Sequence, residues 1–260
     1  MNRENIDKIA QTHDDKVLLA KLWDKVTAAI RKNIPASTCF LSLREQEMVR
    51  FLFGDIAGLY SFGGYSDAER KMLVYLPDYL DENDLSDNAA LACLRATFYQ
   101  KDTLTHRDFL GALIGTGIAR ETIGDIITED SGAVILCLDE IADYICDSLV
   151  KVGGVGVSVF KEESPELLKI ERNYNVISAT VSSLRCDSVI AAALKLSRTK
   201  ASELIDRGLA THNYEIIKSS HRMVEDDDVL SVRGYGKFKV KTTGNLTKKG
   251  RVHIDILKYI

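Results

Sequence analysis

Apolar residues recur at three- and four-residue steps through Ile6, Ile9, Val17, Leu18, Leu22, Val26 and Ile30. This period predicts a single helix from about Asn5 to Asn33. Pro35 closes it, and Ala36-Ser37-Thr38 reads as the break that follows. A second helix is expected from Arg44 to Phe53, stopped by Gly54. Leu59 to Phe62 and Arg70 to Leu76 then read as two strands around the turn Gly63-Gly64-Tyr65-Ser66-Asp67. From Pro77 to Asn88 the pattern lapses. The acids Asp78, Asp81, Glu82, Asp84 and Asp87 gather there and mark a domain boundary.

The pattern is clearest beyond that point. Leu91 to Phe98 is strand-like, and Thr105 is suited to cap a helix through Phe109, Leu110, Leu113 and Ile114 that stops at Gly115 and Gly117. Ile123 to Ile127 and Ala133 to Leu138 read as strands joined by the turn Asp130-Ser131-Gly132. A helix from Ile141 to Val150 and a strand from Gly156 to Phe160 complete the set. The order β-α-β-β-α-β is that of a ferredoxin-like unit, in which two helices cover one sheet face and leave the other free for a partner. The charged stretch Lys161 to Asn175, with Pro165, reads as a connector, and no internal repeat is present. The fold class is therefore α+β. A small N-terminal α/β domain occupies residues 1–82, and a ferredoxin-like, RRM-like middle domain occupies 83–165. A connector at 166–180 leads to a C-terminal domain at 181–260.

Charge divides the chain unevenly. Residues 181–260 hold 15 Lys and Arg against 9 Asp and Glu, whereas the first 180 hold 19 against 29. An acidic body with a basic C-terminal third is what a module for a polyanion requires. No apolar run approaches the ~18–20 residues of a membrane span, and the polar start does not read as a signal peptide. Cys39, Cys93, Cys137, Cys146 and Cys186 are scattered without a Cys-x-x-Cys pair, which argues against a disulfide framework or a zinc knuckle and fits a reducing cytoplasm.

Arrangements that would carry chemistry are missing. His13, His106, His212, His221 and His253 have no metal-ligand spacing and read as surface or packing residues. Gly153-Gly154-Val155-Gly156 leads into a strand instead of a helix, so these are turn glycines and not a phosphate loop. Glu225-Asp226-Asp227-Asp228 lacks the alternation of a calcium loop and reads as a solvated acidic turn. No catalytic residue, metal or cofactor is expected.

The segment Ser182 to Val240 resembles the S4 RNA-binding domain. The matching residues are Arg185-Cys186-Asp187 opening one helix and Leu196-Ser197-Arg198-Thr199-Lys200-Ala201 opening a second. Leu204-Ile205, Gly208, Asn213 and Asp228-Val229-Leu230-Ser231-Val232-Arg233-Gly234 follow. The segment departs from the usual pattern at Ala210, where valine is usual, and at Tyr214, where glycine is usual. Ser197 is an N-cap candidate that leaves helix-end N–H groups, Arg198 and Lys200 facing whatever approaches. Gly208 is the expected C′ residue, and Thr211 to Asn213 the turn into the strands. Ala192, Leu196, Ala201, Leu204 and Ile205 form the expected seam between the helices, with Lys195 among the basic positions beside it. The resemblance implies that Arg185, Arg198, Lys200 and Arg233 neutralise RNA phosphates and that Ser197 and Asn213 add neutral hydrogen bonds. Arg207 and Lys237 complete the candidate set.

Over most of its length the chain looks like the YlmH-type S4-domain proteins of Gram-positive bacteria. The likeness runs through Phe62-Gly-Gly-Tyr65, Ala68-Glu-Arg-Lys71, Leu94 to Asp102, Leu104 to Gly111 and Gly124-Asp125-Ile126. It continues in Lys151 to Gly156, Thr180 to Arg185 and Arg233 to Phe238. That resemblance implies a non-enzymatic, cytoplasmic, monomeric RNA-binding protein on the large ribosomal subunit. Its ligands would be rRNA and tRNA, its role rescue of stalled translation, with a link to cell division and no membrane partner. An RNA-modifying enzyme and a division scaffold are the alternative readings. In the middle domain the strand Ala133 to Leu138 has no aromatic, so it reads as protein-contacting or spacing. Only Phe98 and Tyr99 offer stacking, and Arg95, Lys101, His106, Arg107 and Arg120 offer phosphate contacts.

Overall fold

A computed structural model of the chain describes residues 3–99, 104–162, 174–213, 215–246 and 250–259. Two compact units emerge, residues 1–170 and 171–260.

The predicted long first helix is two: α1 (Ile6–Ile9) and α2 (His13–Lys32). The apolar period runs across both, but Thr12 has extended backbone and starts α2 with a capping box. Its Oγ1 accepts from Asp15 N–H (3.1 Å), and the Asp15 carboxylate accepts from Thr12 N–H (2.9 Å). Asp15 also takes both guanidinium arms of Arg44 (2.9 and 2.6 Å) at the start of α3 (Leu43–Phe53), so one buried carboxylate ties the two helices together. The Arg44 hydrogen bonds, opposed by burial and helped by Gln11 and Thr12, hold its carboxyl well below the usual range. A depressed native pKa stabilises the fold above the unfolded value, about pH 4, and that stability disappears as pH falls through the native value. Asp15→Asn is therefore expected to flatten the acid limb of unfolding followed by Trp23 fluorescence. An unchanged acid limb would show that the pair does not contribute.

Between these helices lies β1 (Ala36–Ser37), where the sequence suggested only a break; it pairs antiparallel with β3 (Met72–Tyr75), which also pairs with β2 (Leu59–Phe62). All four residues of β3 are buried. Leu73 enters the core built on Leu19, Leu22, Val26 and Leu52, while Met72 and Val74 face the other way with Phe40 and Leu76. A strand apolar on both faces needs a cover on each side.

The second cover is the middle sheet. After the short α4 (Leu85–Asn88) come β4 (Leu91–Thr97), α5 (His106–Gly115), β5 (Ile123–Glu129) and β6 (Gly132–Leu138). Then follow α6 (Ala142–Ser148), the small hairpin of β7 (Lys151–Val152) and β8 (Val155–Gly156), and β9 (Ser158–Lys161). The sheet order β5-β6-β4-β9, with every neighbour antiparallel, is the ferredoxin-like arrangement that the element order predicts. Gly153 and Gly154 turn the hairpin with φ of 55° and 86°.

Helices α5 and α6 cover one face through Phe109, Leu113, Ala142 and Ile145. The opposite face, expected to be free, is closed by the same chain: Cys93, Val134, Leu136 and Leu138 pack on Phe40, Met72, Val74 and Leu76. The sequence cut at 82/83 thus falls between two segments that share a core.

Polar groups lock this joint. Asp125, 5% exposed, accepts from Tyr65 Oη (2.7 Å), Glu69 N–H (2.7 Å) and Arg70 N–H (3.1 Å). Arg70 donates to the carbonyls of Ile123 (2.9 Å), Phe40 (3.0 Å) and Arg120 (3.3 Å). Arg120, which donates to Ile123 O at 2.7 Å, has its pKa pulled down to about 10 by burial and by the neighbouring charge of Arg70. A Cβ on Gly124 would come within 2.8 Å of the Phe40 ring, so only glycine permits this approach. Three motifs of the family resemblance, around Gly63, Arg70 and Asp125, are therefore parts of one internal joint.

In residues 171–260, β10 (Tyr174–Val181) takes up the C-terminal part of the segment read as a connector; residues 163–173 lie outside the described residues. Two helices follow, α7 (Cys186–Leu194) and α8 (Arg198–Asp206), then β11 (Ala210–His212), β12 (Glu215–Ile216), β13 (Val229–Val232), β14 (Gly236–Leu246) and β15 (Val252–Tyr259). The antiparallel sheet runs β10-β15-β14-β13-β11-β12. Thr211 and His212, expected in a turn, belong to β11, and Asn213 alone takes the left-handed turn conformation (φ 47°). Val189, Ile190, Ala201 and Ile205 pack with Leu230, Phe238, Val240, Ile254 and Ile256 as the core between helices and sheet.

Candidate RNA-binding surface

Helix α7 begins at Arg185 without a side-chain cap, and its first N–H groups are satisfied from a distant loop. Cys186 N–H donates to Arg222 O (2.9 Å) and Asp187 N–H to Ser220 O (3.2 Å). The Asp187 carboxylate, 3% exposed, sits between two guanidinium groups. Arg185 donates to both its oxygens (3.2 and 2.9 Å), and Arg198, eleven residues on, donates to Oδ2 (2.8 Å). Burial works against ionisation of Asp187, but the bonds and charges of Arg198 and Arg185 outweigh it and hold the carboxyl below its ordinary range. One anion between two cations leaves a net positive group in which the geometry of both arginines is fixed.

Arg198 opens α8, whose N-cap is Ser197: its Oγ accepts from Lys200 N–H at 3.3 Å. The first turn carries no acid, and Arg198, Thr199 and Lys200 are exposed there. Positive side chains at a helix N-terminus are locally unfavourable, and an incoming anion relieves this. The other end of α8 is a Schellman cap. Gly208 (φ 68°) donates to Ile205 O (2.8 Å), and Leu209 donates to Leu204 O (3.0 Å). Arg207 is exposed at that end, about 13 Å along the axis from Arg198. Exposed Arg233 is held nearby, because its N–H donates to Leu209 O (2.8 Å).

The candidate residues thus fall into two groups, Arg185, Ser197, Arg198 and Lys200 at one end of α8 and Arg207 with Arg233 near the other. Two members of the sequence set do not join them. The Asn213 amide also works internally: Nδ2 donates to Asp228 (2.7 Å) and Oδ1 accepts from Val229 N–H (2.9 Å), so it shapes the turn. Lys237 projects from the sheet face opposite α7 and α8, with Nζ 5.0 Å from the centre of the Tyr259 ring. Conversely, the structure brings in two residues given no role from sequence. Asp187 organises both arginines, and the His221 ring nitrogen Nδ1 meets Arg185 Nη2. A carboxylate two residues after one motif arginine and eleven before the other was the available signal for Asp187. None marked His221.

The acidic run is also structural. Asp227 pairs with Lys239 (2.9 Å) and Lys241 (2.7 Å), Asp226 accepts from Thr242 Oγ1 (3.0 Å), and Asp228 binds His212 (2.6 Å) and Asn213. The run is an exposed turn before β13, as expected, and its ion pairs and hydrogen bonds also latch that turn to β14. Buried Cys93, Cys137 and Cys186 have thiols pushed up to about 11, 12 and 11 by burial, which keeps them unreactive.

In the middle domain Arg95 is held by Glu129 (2.9 Å) and Glu162 (3.3 Å), and Arg120 points into the joint. Phe98 packs on Phe109 at 6.2 Å, whereas Tyr99 is exposed. His106 and Arg107 are exposed at the start of α5. Lys101 and Tyr214 lie outside the described residues. With the sheet face closed by the N-terminal strands, base stacking on the central strands is not available to this domain. Among the described residues no helix is long and apolar enough to cross a membrane.

Residues 92–166 match the family model described as "Putative RNA-binding domain in YlmH". The chain is 32% identical over 217 residues to "Ribosome-associated protein quality control protein P2" of Bacillus subtilis (strain 168), covering 82% of this chain and 83% of that relative. Among solved structures it resembles "Cell division protein ylmH from Streptococcus pneumoniae" with a TM-score of 0.48 and 24% identity, over 62% of this chain and 98% of that one.

Proposed function

The chain belongs to the YlmH family, and from that premise we propose that it is a non-enzymatic RNA-binding protein that docks on structured RNA through the two ends of α8. The proposed site is on the large ribosomal subunit, with rRNA and tRNA as ligands, in rescue of stalled translation in the cytoplasm. The ribosome-associated relative supports the setting. The observation that carries the mode of binding is the buried Asp187 clamp, which presents Arg185 and Arg198 in fixed positions beside an acid-free helix N-terminus. Fixed guanidinium groups and helix-end N–H donors suit phosphate oxygens at set spacing, and they read the shape of a folded RNA rather than its sequence. A monomer suffices for this, because every residue of the site comes from one segment of one chain.

Salt tests it. Each neutralised phosphate contributes roughly 0.7–0.9 to the log–log slope, so Arg185, Arg198, Lys200 and Arg233 together give a slope of about −3. Binding of purified tRNA and of large subunits, measured between low and physiological salt, is expected to fall along that line. A flat response would overturn phosphate recognition at this surface.

A further inference from the structure

The three-stranded sheet β1-β3-β2 leaves one edge of β1 open, because β1 pairs with β3 and with no other strand among the described residues. Register sets what that edge offers. Thr38 N–H donates to Leu73 O (2.9 Å), so Ala36, two residues earlier, also turns its backbone groups to β3, at Tyr75. Ser37, between them, directs its N–H and C=O away from β3, and among the described residues nothing meets either group. Ser37 is nonetheless only 8% exposed, and its Oγ accepts from Ala90 N–H (3.1 Å). Beside the edge lies a groove of about 540 Å³, walled by Pro35 to Ser37 on one side and by Ser86 to Leu91 with Asp139 on the other.

We propose that this groove takes an extended, lysine- or arginine-rich segment of a partner protein, which adds as a strand beside β1. Strand addition supplies the acceptor and donor that the Ser37 backbone lacks, and side chains at alternate positions decide which segment fits. Charge selects a cationic one. Asp78 accepts from Asn33 Nδ2 (2.9 Å), and Asp81 and Asp84 accept from N–H groups of their own turn, so neutral donors hold these acids without cancelling their charge. Glu82 and Asp87 are exposed, and among the described residues none of these five acids pairs with a Lys or Arg. In the groove wall Asp139 holds Lys161. An RNA strand would bring phosphates against this field, whereas a basic segment relieves it. Ile34 and Tyr79, 46% and 62% exposed, flank the start of the strand, where they suit the aliphatic stems of lysine or arginine. The groove lies in residues 1–170 and does not depend on the RNA-binding reading of residues 171–260.

The test titrates the full chain into a fluorescein-labelled octapeptide of alternating lysine and valine, read by anisotropy. The wild type is expected to bind it. The same peptide methylated along its backbone nitrogens keeps its charge but loses its donors, and it should bind about tenfold more weakly, which separates strand addition from attraction to an acidic surface. Asp87→Lys sets a cation in the wall and should also cost about tenfold, with the melting temperature unmoved. Ser37→Ala loses the Oγ bond to Ala90 and should retain binding. Ser37→Pro removes in addition the N–H that points away from β3, and it should lose about tenfold. A thermal melt of each variant accompanies the titrations; if Ser37→Pro does not fold, the methylated peptide and Asp87→Lys decide. Folded Ser37→Pro should bind tRNA as the wild type does, and a parallel loss there would make the groove an RNA contact and overturn the proposal. No binding by the wild type, equal binding of the two peptides, or wild-type affinity in Asp87→Lys overturns it as well.

Discussion

Arg198→Glu is expected to weaken docking on tRNA or large subunits at least about a hundredfold, since it removes one charge-assisted contact and sets a carboxylate against the incoming phosphate. It should also lower the stability of residues 171–260, because the new carboxylate would face buried Asp187, which Arg198 now neutralises at 2.8 Å. Lys200→Glu separates the two effects. Lys200 is exposed, and its contribution to the helix is its backbone N–H on Ser197, so its reversal should cost about tenfold in binding while the melting temperature holds or rises slightly, because a glutamate three residues after Ser197 suits the helix N-terminus. Sedimentation with large subunits through a sucrose gradient, beside a thermal melt of each variant, reads both. Wild-type sedimentation by Lys200→Glu would show that the N-terminus of α8 is not the docking point. The acid response has a defined sign: Asp187 has a depressed pKa in the native state, so the stability it lends holds above its unfolded value and is lost as the pH falls below it.

The second large effect lies in the joint. Asp125→Ala strands the Tyr65 hydroxyl and the N–H groups of Glu69 and Arg70 in a part-buried site without their acceptor. At about 1–3 kcal/mol for each unsatisfied group, the expected loss is about 4 kcal/mol. Trp23, the single tryptophan, lies in the N-terminal core and stacks on Phe53, so its fluorescence in a urea titration follows this unit. The midpoint should move to lower urea with little change in slope. Asp125→Asn, which keeps one acceptor oxygen, should lose less. A midpoint unmoved by the alanine variant would mean that the two sheets hold together without this carboxylate.

Both effects concern residues whose importance could be seen in the sequence but whose task could not. Gly124-Asp125 and Ala68-Glu-Arg-Lys71 stand out as motifs, yet over fifty residues separate Arg70 from Ile123, and nothing local says that one caps the other's carbonyl. The same holds for the site. Ser197, Arg198, Lys200 and Gly208 could be placed on a helix and given their ends, because N-caps and C′ glycines act within one turn. Asn213 could be placed in its turn because that position is local, but its amide partners, Asp228 and Val229, lie at the start of a strand far along the chain. The N-terminal helix was misread for the opposite reason: the apolar period continued, and a capping box at Thr12 overrode it.

By itself, then, the sequence determined what depends on neighbours along the chain. The β-α-β-β-α-β order, the two ends of α8 at Ser197 and Gly208, the turn glycines and the basic balance of the C-terminal third follow from periods, caps and charge. Tertiary structure alone decided which faces remain open. Hydrophobic alternation reports that a face is apolar but not what covers it, so the pattern of β3 and β6 could not reveal that they close on each other. Nor could it place Tyr174 beside Tyr259, eighty-five residues away. Burial and pairing between distant segments are set by the free energy of the whole packed unit, and no window of the sequence contains that sum.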